Sequence, residues 1–238
     1  MCIRDRSEDL TIDITGFTKD INKLVNSVHV DITNDYSYFL NGEFDGRLHG
    51  IYGRVQGFEL TIRKWRTGES PVSGLLSYTY SVAKGKGSSR NLGYLTYYRQ
   101  QPDVTESHPL AWDQRHIFSG TLDIQLPFDA SVNLIGRYGS GLPYTPNPSS
   151  PTKPDINSKR YPPTYNVDAL ISKRSRIGGL TYTFFADIRN VFNTKNLDDL
   201  LDPVTYDRYG IPLSSRKHSH PLSWSSPRLI MMGVSLDF

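Results

Sequence analysis

The stretch HIFSGTLDIQL, residues 116–126, decides the fold class of this chain. Apolar and polar side chains alternate along it with few exceptions. Successive side chains of a β-strand point to opposite faces of its sheet, so this pattern predicts a strand with one apolar and one polar face. The apolar members are Phe118, Leu122, Ile124 and Leu126, and the polar members are Ser119, Thr121, Asp123 and Gln125.

The same alternation recurs on both sides of this stretch. At the C-terminus Ile230, Met232, Val234, Leu236 and Phe238 share one face. Between residues 180 and 191 the alternation is broken only by Phe185. We therefore expect an all-β fold of about eight antiparallel strands. They are predicted near residues 9–22, 52–66, 73–84, 113–126, 130–139, 163–175, 179–191 and 228–238.

The connections between the predicted strands alternate in length. Short ones at 67–72, 127–129 and 176–178 carry Gly, Pro or Asp, whereas long ones cover 23–51, 85–112, 140–162 and 192–227. Long structureless loops are uncommon in compact soluble domains, but outer-membrane β-barrels combine short periplasmic turns with long extracellular loops. Residues 28–33 also alternate, so the first long connection is either a loop or an extension of the strands with a hairpin.

Composition agrees with a sheet that is apolar on one side only. The 238 residues are 37% hydrophobic and 12% aromatic, and no stretch reaches the roughly 18 apolar residues of a transmembrane helix. The formal charge is +3 with basic residues scattered along the chain, which argues against nucleic-acid binding. The one cysteine, Cys2, excludes an internal disulfide and a cysteine-based zinc site.

The first seven residues, MCIRDRS, lack the apolar region and cleavage site of a secretory signal. They resemble a translated sequencing adapter, so we treat 1–7 as a non-native leader and 8–238 as one partial outer-membrane barrel domain. We expect the export signal to lie in an upstream part of the protein. A cytoplasmic protein is the alternative.

No enzyme, metal or cofactor site is predicted. Asp113 to His116 combine an acid, a base and a cation, but adjacent strand residues point to opposite faces, so a structural role near the outer rim is expected. His218 with His220, and the aspartates at 198, 199 and 202, lack the spacing of zinc or EF-hand sites. Residues 85–89 lack the Walker spacing of a phosphate loop.

Six motifs, in order, resemble the C-terminal barrel of TonB-dependent receptors, especially their carboxypeptidase-regulatory-like, plug-containing branch. They are GFEL at 57–60, SYTYS at 77–81, DQRH at 113–116, SGLPYTP at 140–146, DIRNVFN at 187–193, and the segment from Ser226 to Phe238. The resemblance implies the last third of a barrel of about 22 strands. It also implies a plug domain and TonB as partners in the full-length protein, which would import a siderophore, glycan, peptide or vitamin through the bacterial outer membrane.

The resemblance assigns roles to particular residues. The motif positions are Asp113, Gln114, Arg115, His116, Ser140, Gly141, Pro143, Tyr144, Asn190, Phe192 and Asn193. Gly233, Leu236 and Phe238 are expected to form the signal that the barrel-assembly machinery recognises. By alternation, Asp123, Gln125, Asp187 and Arg189 are expected to face the lumen, opposite the face in contact with outer-membrane lipid.

Two other functions stay open at this point. One is a small self-closing barrel with a structural or adhesive role, which an even number of strands permits. The other is a soluble all-β binding domain, whose apolar face would be buried in a dry core. Burial of Leu122, Phe184 and Val234 together inside a globule would contradict the membrane interpretation.

Overall fold

The computed structural model describes residues 2–6, 9–33, 36–43, 51–68, 70–87, 106–146, 155–197 and 224–237. Thirteen β-strands run through these residues, and none of these residues belongs to a helix long and apolar enough to cross a membrane. The strands are β1 (Cys2–Arg6), β2 (Leu10–Thr33), β3 (Tyr36–Glu43), β4 (Ile51–Lys64), β5 (Val72–Gly85), β6 (His108–Pro109), β7 (His116–Leu126), β8 (Ala130–Gly139), β9 (Pro143–Tyr144), β10 (Lys159–Arg160), β11 (Thr164–Ile177), β12 (Leu180–Arg189) and β13 (Leu229–Asp237).

The strands build one antiparallel sheet in the order β1-β2-β4-β5-β7-β8-β11-β12-β13, with β3 on β2 and β6 on β5. All eight predicted strands are present, which confirms the all-β antiparallel fold. In the first long connection the extended alternative is found, because β2 continues to Thr33 and then pairs with β3. Cys2–Arg6, which sequence analysis left out of the fold, pairs with β2 at one edge of the sheet. The origin of residues 1–7 stays a prediction.

Three short connections lie at one end of the sheet, here called the turn end. They are residues 65–71, 127–129 and 178–179. Gly178 and Gly179 have φ of 60° and 85°, the pair of positive angles that a two-residue type I′ hairpin needs. The longer connections 86–115, 140–163 and 190–228 leave from the opposite end, called the loop end. The predicted alternation of connection lengths is therefore confirmed from β4 onwards, whereas most of the predicted connection 23–51 is taken up by the end of β2 and by β3.

The register of the pairs separates the sheet into two faces. Residues paired directly across an antiparallel ladder point to the same side, so one continuous row runs from β5 to β13. This row contains Gly74, Leu122, Leu134, Ala169, Ile188 and Ile230. We call its side the apolar face. The opposite, polar face carries residues such as Thr121, Asp123, Asp168 and Asp187.

The apolar face is not covered by any other described part of the chain. The side chains of Leu122, Phe184 and Val234 are 38%, 49% and 54% exposed. Among the described residues the buried hydrophobic ones are Ala83, Leu110, Tyr144 and Ala169 alone. Three of these lie at the loop end, so the best-packed part of the molecule is a cluster of loops and not a central core. A dry core that includes the apolar face is contradicted.

Candidate functional site

Two of the sequence motifs meet at the loop end around one buried carboxylate. Asp113 is fully buried, and its Oδ1 accepts a hydrogen bond of 2.6 Å from the backbone N–H of Ala83 in β5. Its Oδ2 accepts hydrogen bonds from Arg115 Nε at 2.7 Å and from Arg160 Nη2 at 2.5 Å. Arg160 Nη1 also donates to the backbone carbonyls of Asp113 and Gly141. We call Asp113, Arg115 and Arg160 the carboxylate node.

The negative charge of Asp113 is compensated within the node by Arg115 and Arg160. Burial lowers the pKa of Arg115, but hydrogen bonds and charge interactions with Asp113 and Tyr80 together raise this pKa above its usual value. Both oxygens of the Asp113 carboxylate accept hydrogen bonds, one at Oδ1 and two charge-assisted ones at Oδ2. Because the three donors come from different segments of the chain, the Asp113 carboxylate joins the loops to the end of β5.

Gln114 and His116 attach the start of β7 to the SGLPYTP motif. Gln114 Nε2 donates to the carbonyl of Ser140 at 3.0 Å, while the backbone N–H of His116 donates to Ser140 Oγ at 3.0 Å. A Cβ on Gly139 would lie 2.2 Å from Gln114 Nε2. Since real Cβ atoms do not approach other heavy atoms that closely, glycine at this position is what lets the Gln114 amide reach the loop.

The rest of the SGLPYTP motif pairs with the segment that carries Arg160. Pro143 and Tyr144 form β9, which is paired with β10, and the Tyr144 ring stacks on Tyr161 with 4.7 Å between centroids. A Cβ on Gly141 would lie 1.6 Å from the carbonyl oxygen of Tyr161, so the two backbones approach closely only because this position is glycine. Both partners of this contact come from the ends of the proline-rich connection.

The DIRNVFN motif and the residues just after it form a second cluster at the loop end, the asparagine clamp, made of Asn190 and Asn193 of the motif and of Asn196. Asn190 is buried with φ of 54°, and its side chain bonds the backbone of Thr194 twice and the carbonyl of Ser226 once. Asn193 Oδ1 accepts from the N–H of Arg228. Asn196 bonds both backbone groups of Tyr165. Because side-chain amides both donate and accept, three of them connect β11, β12 and β13.

The residues predicted to line a lumen all lie on the polar face. Asp123 Oδ1 accepts a hydrogen bond of 2.6 Å from Asn133, its direct neighbour on β8. Asp187 lies 3.4 Å from Arg189 on the same strand. Gln125 pairs with Ser131 in the same register. Their shared face agrees with alternation, while their contact with a lumen stays a prediction.

The predicted assembly signal is only partly within the described residues. Gly233 lies on the polar face, where a Cβ would be 2.5 Å from the ring of Phe185, so this ring covers the glycine. That contact explains why Phe185 breaks the alternation of its strand. Leu236 lies on the apolar face, paired with Tyr182. Phe238 is outside the described residues, and recognition by an assembly machinery stays a prediction.

A row of aromatic side chains on the apolar face near the loop end is not predicted from the sequence. Tyr78 stacks on Phe118 with 4.3 Å between centroids, and Phe118 meets Tyr138 edge to face at 5.8 Å. Phe58 and Tyr80 extend the row towards β4. An exposed aromatic row of this kind is typical of the interface zone of membrane proteins. It was not predicted because membership depends on the register between strands.

Arg160 and Asp168 are likewise not predicted from the sequence. Arg160 follows the proline-rich segment, and no motif marks it in the sequence. Asp168 contributes to the asparagine clamp, because its Oδ1 accepts a hydrogen bond from the backbone N–H of Asn190. Phe192, within the DIRNVFN motif, is mostly exposed. The two histidines at 218 and 220 and the aspartates at 198, 199 and 202 lie outside the described residues. Among the residues that are described, no group of acidic, histidine or cysteine side chains could hold a metal ion.

Comparison with solved structures identifies the fold. The chain is similar to the ferric-catecholate import receptor Fiu of E. coli K12, with a TM-score of 0.54 and 15% identity over 96% of this chain and 25% of that one. It is also similar to P. aeruginosa FpvA, solved with heterologous pyoverdines, with a TM-score of 0.55 and 12% identity over 95% of this chain and 24% of that one. The chain thus spans about a quarter of the length of each receptor. No protein-family model and no curated protein matches the sequence.

Proposed function

We propose that this chain is the C-terminal part of the barrel of a TonB-dependent receptor, which imports a scarce ligand across the bacterial outer membrane. The observation that carries the proposal is the two-faced antiparallel sheet whose apolar face stays uncovered. A wall of this kind is stable where one side meets lipid and the other meets water, as in an outer-membrane barrel. The fold shared with part of two receptors, one of them named an import receptor, supports the same function.

The clusters at the loop end have a clear task in such a protein. Ligand binding by a barrel takes place on loops, and loops need a rigid base to hold their geometry. The carboxylate node and the asparagine clamp supply that base, because they attach the long connections to the ends of β5, β7, β11 and β13. The finer assignment to the carboxypeptidase-regulatory-like branch rests on the motifs alone.

A self-closed barrel of these strands is the second candidate. It requires β13 to pair with the first strand of the sheet, yet β1 and β13 stand at opposite edges of the described order. Uncovered edges expose backbone groups that lipid cannot satisfy. We therefore propose that further strands of the parent protein complete the barrel wall. In that barrel β13 pairs with the first strand of the full-length barrel.

Uptake by the full-length protein tests the proposal. The full-length gene, including the coding sequence upstream of this chain, is expressed in a Gram-negative host that lacks other receptors for these ligands. Uptake of ferric catecholate and ferric pyoverdine is then measured with and without TonB. We expect a product that remains in the outer-membrane fraction after carbonate extraction and imports a ligand only when TonB is present. A soluble product, or TonB-independent adhesion without uptake, would contradict the receptor.

A further inference from the structure

A polar groove lies beyond the aromatic row on the apolar face, at the loop end of β2, β4 and β5. Its lining includes Asp20, Tyr52, Arg54, Gln56, Lys84 and Ser107, around a cavity of about 480 Å³. Asp20, Arg54 and Lys84 form one register row, because Asp20 pairs with Arg54 and Arg54 pairs with Lys84. We call this place the rim groove.

The charges of the rim groove are not balanced within the described chain. Arg54 and Lys84 stand directly opposite each other, and like charges in such cross-strand positions repel. Asp20 Oδ1 lies 2.5 Å from Arg54 Nε, but the two side chains are 51% and 61% exposed, so water weakens the pair. Within the part of the chain that the structure describes, the Lys84 ammonium has no ion-pair partner. The row therefore carries one uncompensated positive charge.

Donors of a second kind converge on the same groove. The side chains of Tyr52, Gln56 and Ser107 line it, and each carries an O–H or N–H group. Two cations combined with neutral donors form a suitable environment for a phosphate group, which has several strong acceptor oxygens. A carboxylate has fewer acceptor positions and would leave part of this set unused.

The position of the groove selects a lipid phosphate over a free one. Arg54 precedes Phe58 by four residues on the same face of β4, so their Cα atoms are about 13 Å apart along the strand, and closer than that along the membrane normal because barrel strands are tilted. Aromatic side chains sit at the level of lipid headgroups, and cations just beyond them reach the phosphate layer. A phosphate held in the groove thus has the apolar face below it, where acyl chains would lie.

We propose that the rim groove binds the phosphate group of an anionic lipid in the leaflet that faces the loop end. Arg54 and Lys84 supply the charge, and Tyr52, Gln56 and Ser107 supply neutral hydrogen bonds. Asp20 acts against binding, since it competes for the Arg54 guanidinium. This inference rests on the proposed function, because it needs the apolar face to lie in a bilayer.

Lipid titration of the full-length protein in zwitterionic detergent tests the inference. Phosphatidic acid is the probe, phosphatidylcholine the lipid without net charge, and inorganic phosphate the free anion, with binding read by native mass spectrometry. We expect phosphatidic acid to bind, and the double substitution Arg54→Gln with Lys84→Gln to weaken this binding by about tenfold or more, since two charge-assisted hydrogen bonds are lost and solvent exposure reduces the worth of each. Asp20→Asn is expected to strengthen it.

The control and the contrary outcomes separate the two proposals. Lys64→Gln removes a cation on the same face at the turn end, where Lys64 lies 2.8 Å from Asp9, and should leave this binding unchanged. Equal binding by the Arg54 and Lys84 double variant, or equal loss in Lys64→Gln, overturns the rim groove. Saturation by inorganic phosphate at the same concentration overturns the lipid as ligand. If the protein without any substitution does not insert into the outer membrane, the proposed receptor function is overturned instead.

Discussion

Replacement of Asp113 by asparagine tests whether the carboxylate node holds the loop end together. The substitution keeps the shape of the side chain, and its Oδ1 still accepts from the N–H of Ala83. At the Oδ2 position an amide NH₂ now faces the donors of Arg115 and Arg160, so two charge-assisted hydrogen bonds are lost. Each is worth about 1.5 to 3 kcal/mol when fully made.

The magnitude is reduced by water. The side chains of Arg115 and Arg160 are 27% and 32% exposed, so both guanidinium groups regain part of their hydration when the carboxylate is removed. We therefore take the lower end of the range and expect a loss of about 3 kcal/mol in the local opening free energy. Because 1.4 kcal/mol corresponds to tenfold, amides fixed by the node should exchange about 100 times faster.

Hydrogen exchange of the full-length protein in detergent measures this change directly. Peptides containing the backbone N–H groups of Ala83, His116 and Tyr161 should lose protection in Asp113→Asn, while peptides from the turn end should not. Asp123→Asn provides the matched control, because it changes a carboxylate of the polar face outside the node. Unchanged protection at Ala83, or an equal loss in both variants, would refute the role of the node.

Three further predictions concern other parts of the sheet. Leu122→Arg places a charge on the apolar face and should reduce assembly into the outer membrane, at a cost of about 2 to 4 kcal/mol near the midplane, whereas Thr121→Arg on the polar face should assemble normally; equal yields of folded protein would contradict the face assignment. Asn190→Ala should remove three side-chain hydrogen bonds at a left-handed φ and destabilise the clamp by about 2 to 4 kcal/mol, measured by exchange of the Thr194 amide. Gly233→Val should displace the Phe185 ring that covers the glycine and lower the free energy of unfolding in urea by about 1 to 3 kcal/mol. A loss of the same size when Gly233→Val is introduced together with Phe185→Ala, which removes the ring, would contradict the contact.

The strands and the short turns could be predicted because their signals are local. Alternation over residues 116–126 needs no knowledge of any partner strand, and the glycines at 178 and 179 indicate a turn by themselves. The first long connection is ambiguous in the sequence because a local signal does not show whether a partner strand is present. Residues 28–33 alternate, but only pairing with β3 decides between a strand and a loop.

The candidate site could be predicted only in part, because its contacts join distant segments. Asp113 and Arg160 are 47 residues apart, and the connection between them contains a proline-rich stretch that gives no indication of which cation returns to the carboxylate. The aromatic row depends on the register of four strands, so Tyr78 and Phe118 looked like ordinary members of their own strands. By contrast, Asn190 and Asn193 are predicted as motif positions, whereas Asn196, which completes the clamp, is not.

The isolated bridge between Leu197 and Trp224 brings together the two ends of the last long connection. Next to this bridge, the Asn196 side chain accepts a hydrogen bond from the backbone N–H of Tyr165 and donates one to its carbonyl. The backbone N–H of Ser225 donates to the backbone carbonyl of Asn196. Both ends are thus fixed side by side whatever lies between them. The 26 residues from 198 to 223 should therefore be exchangeable as a cassette. A foreign epitope or binding peptide grafted there would be displayed on the protein without altering the frame that carries it.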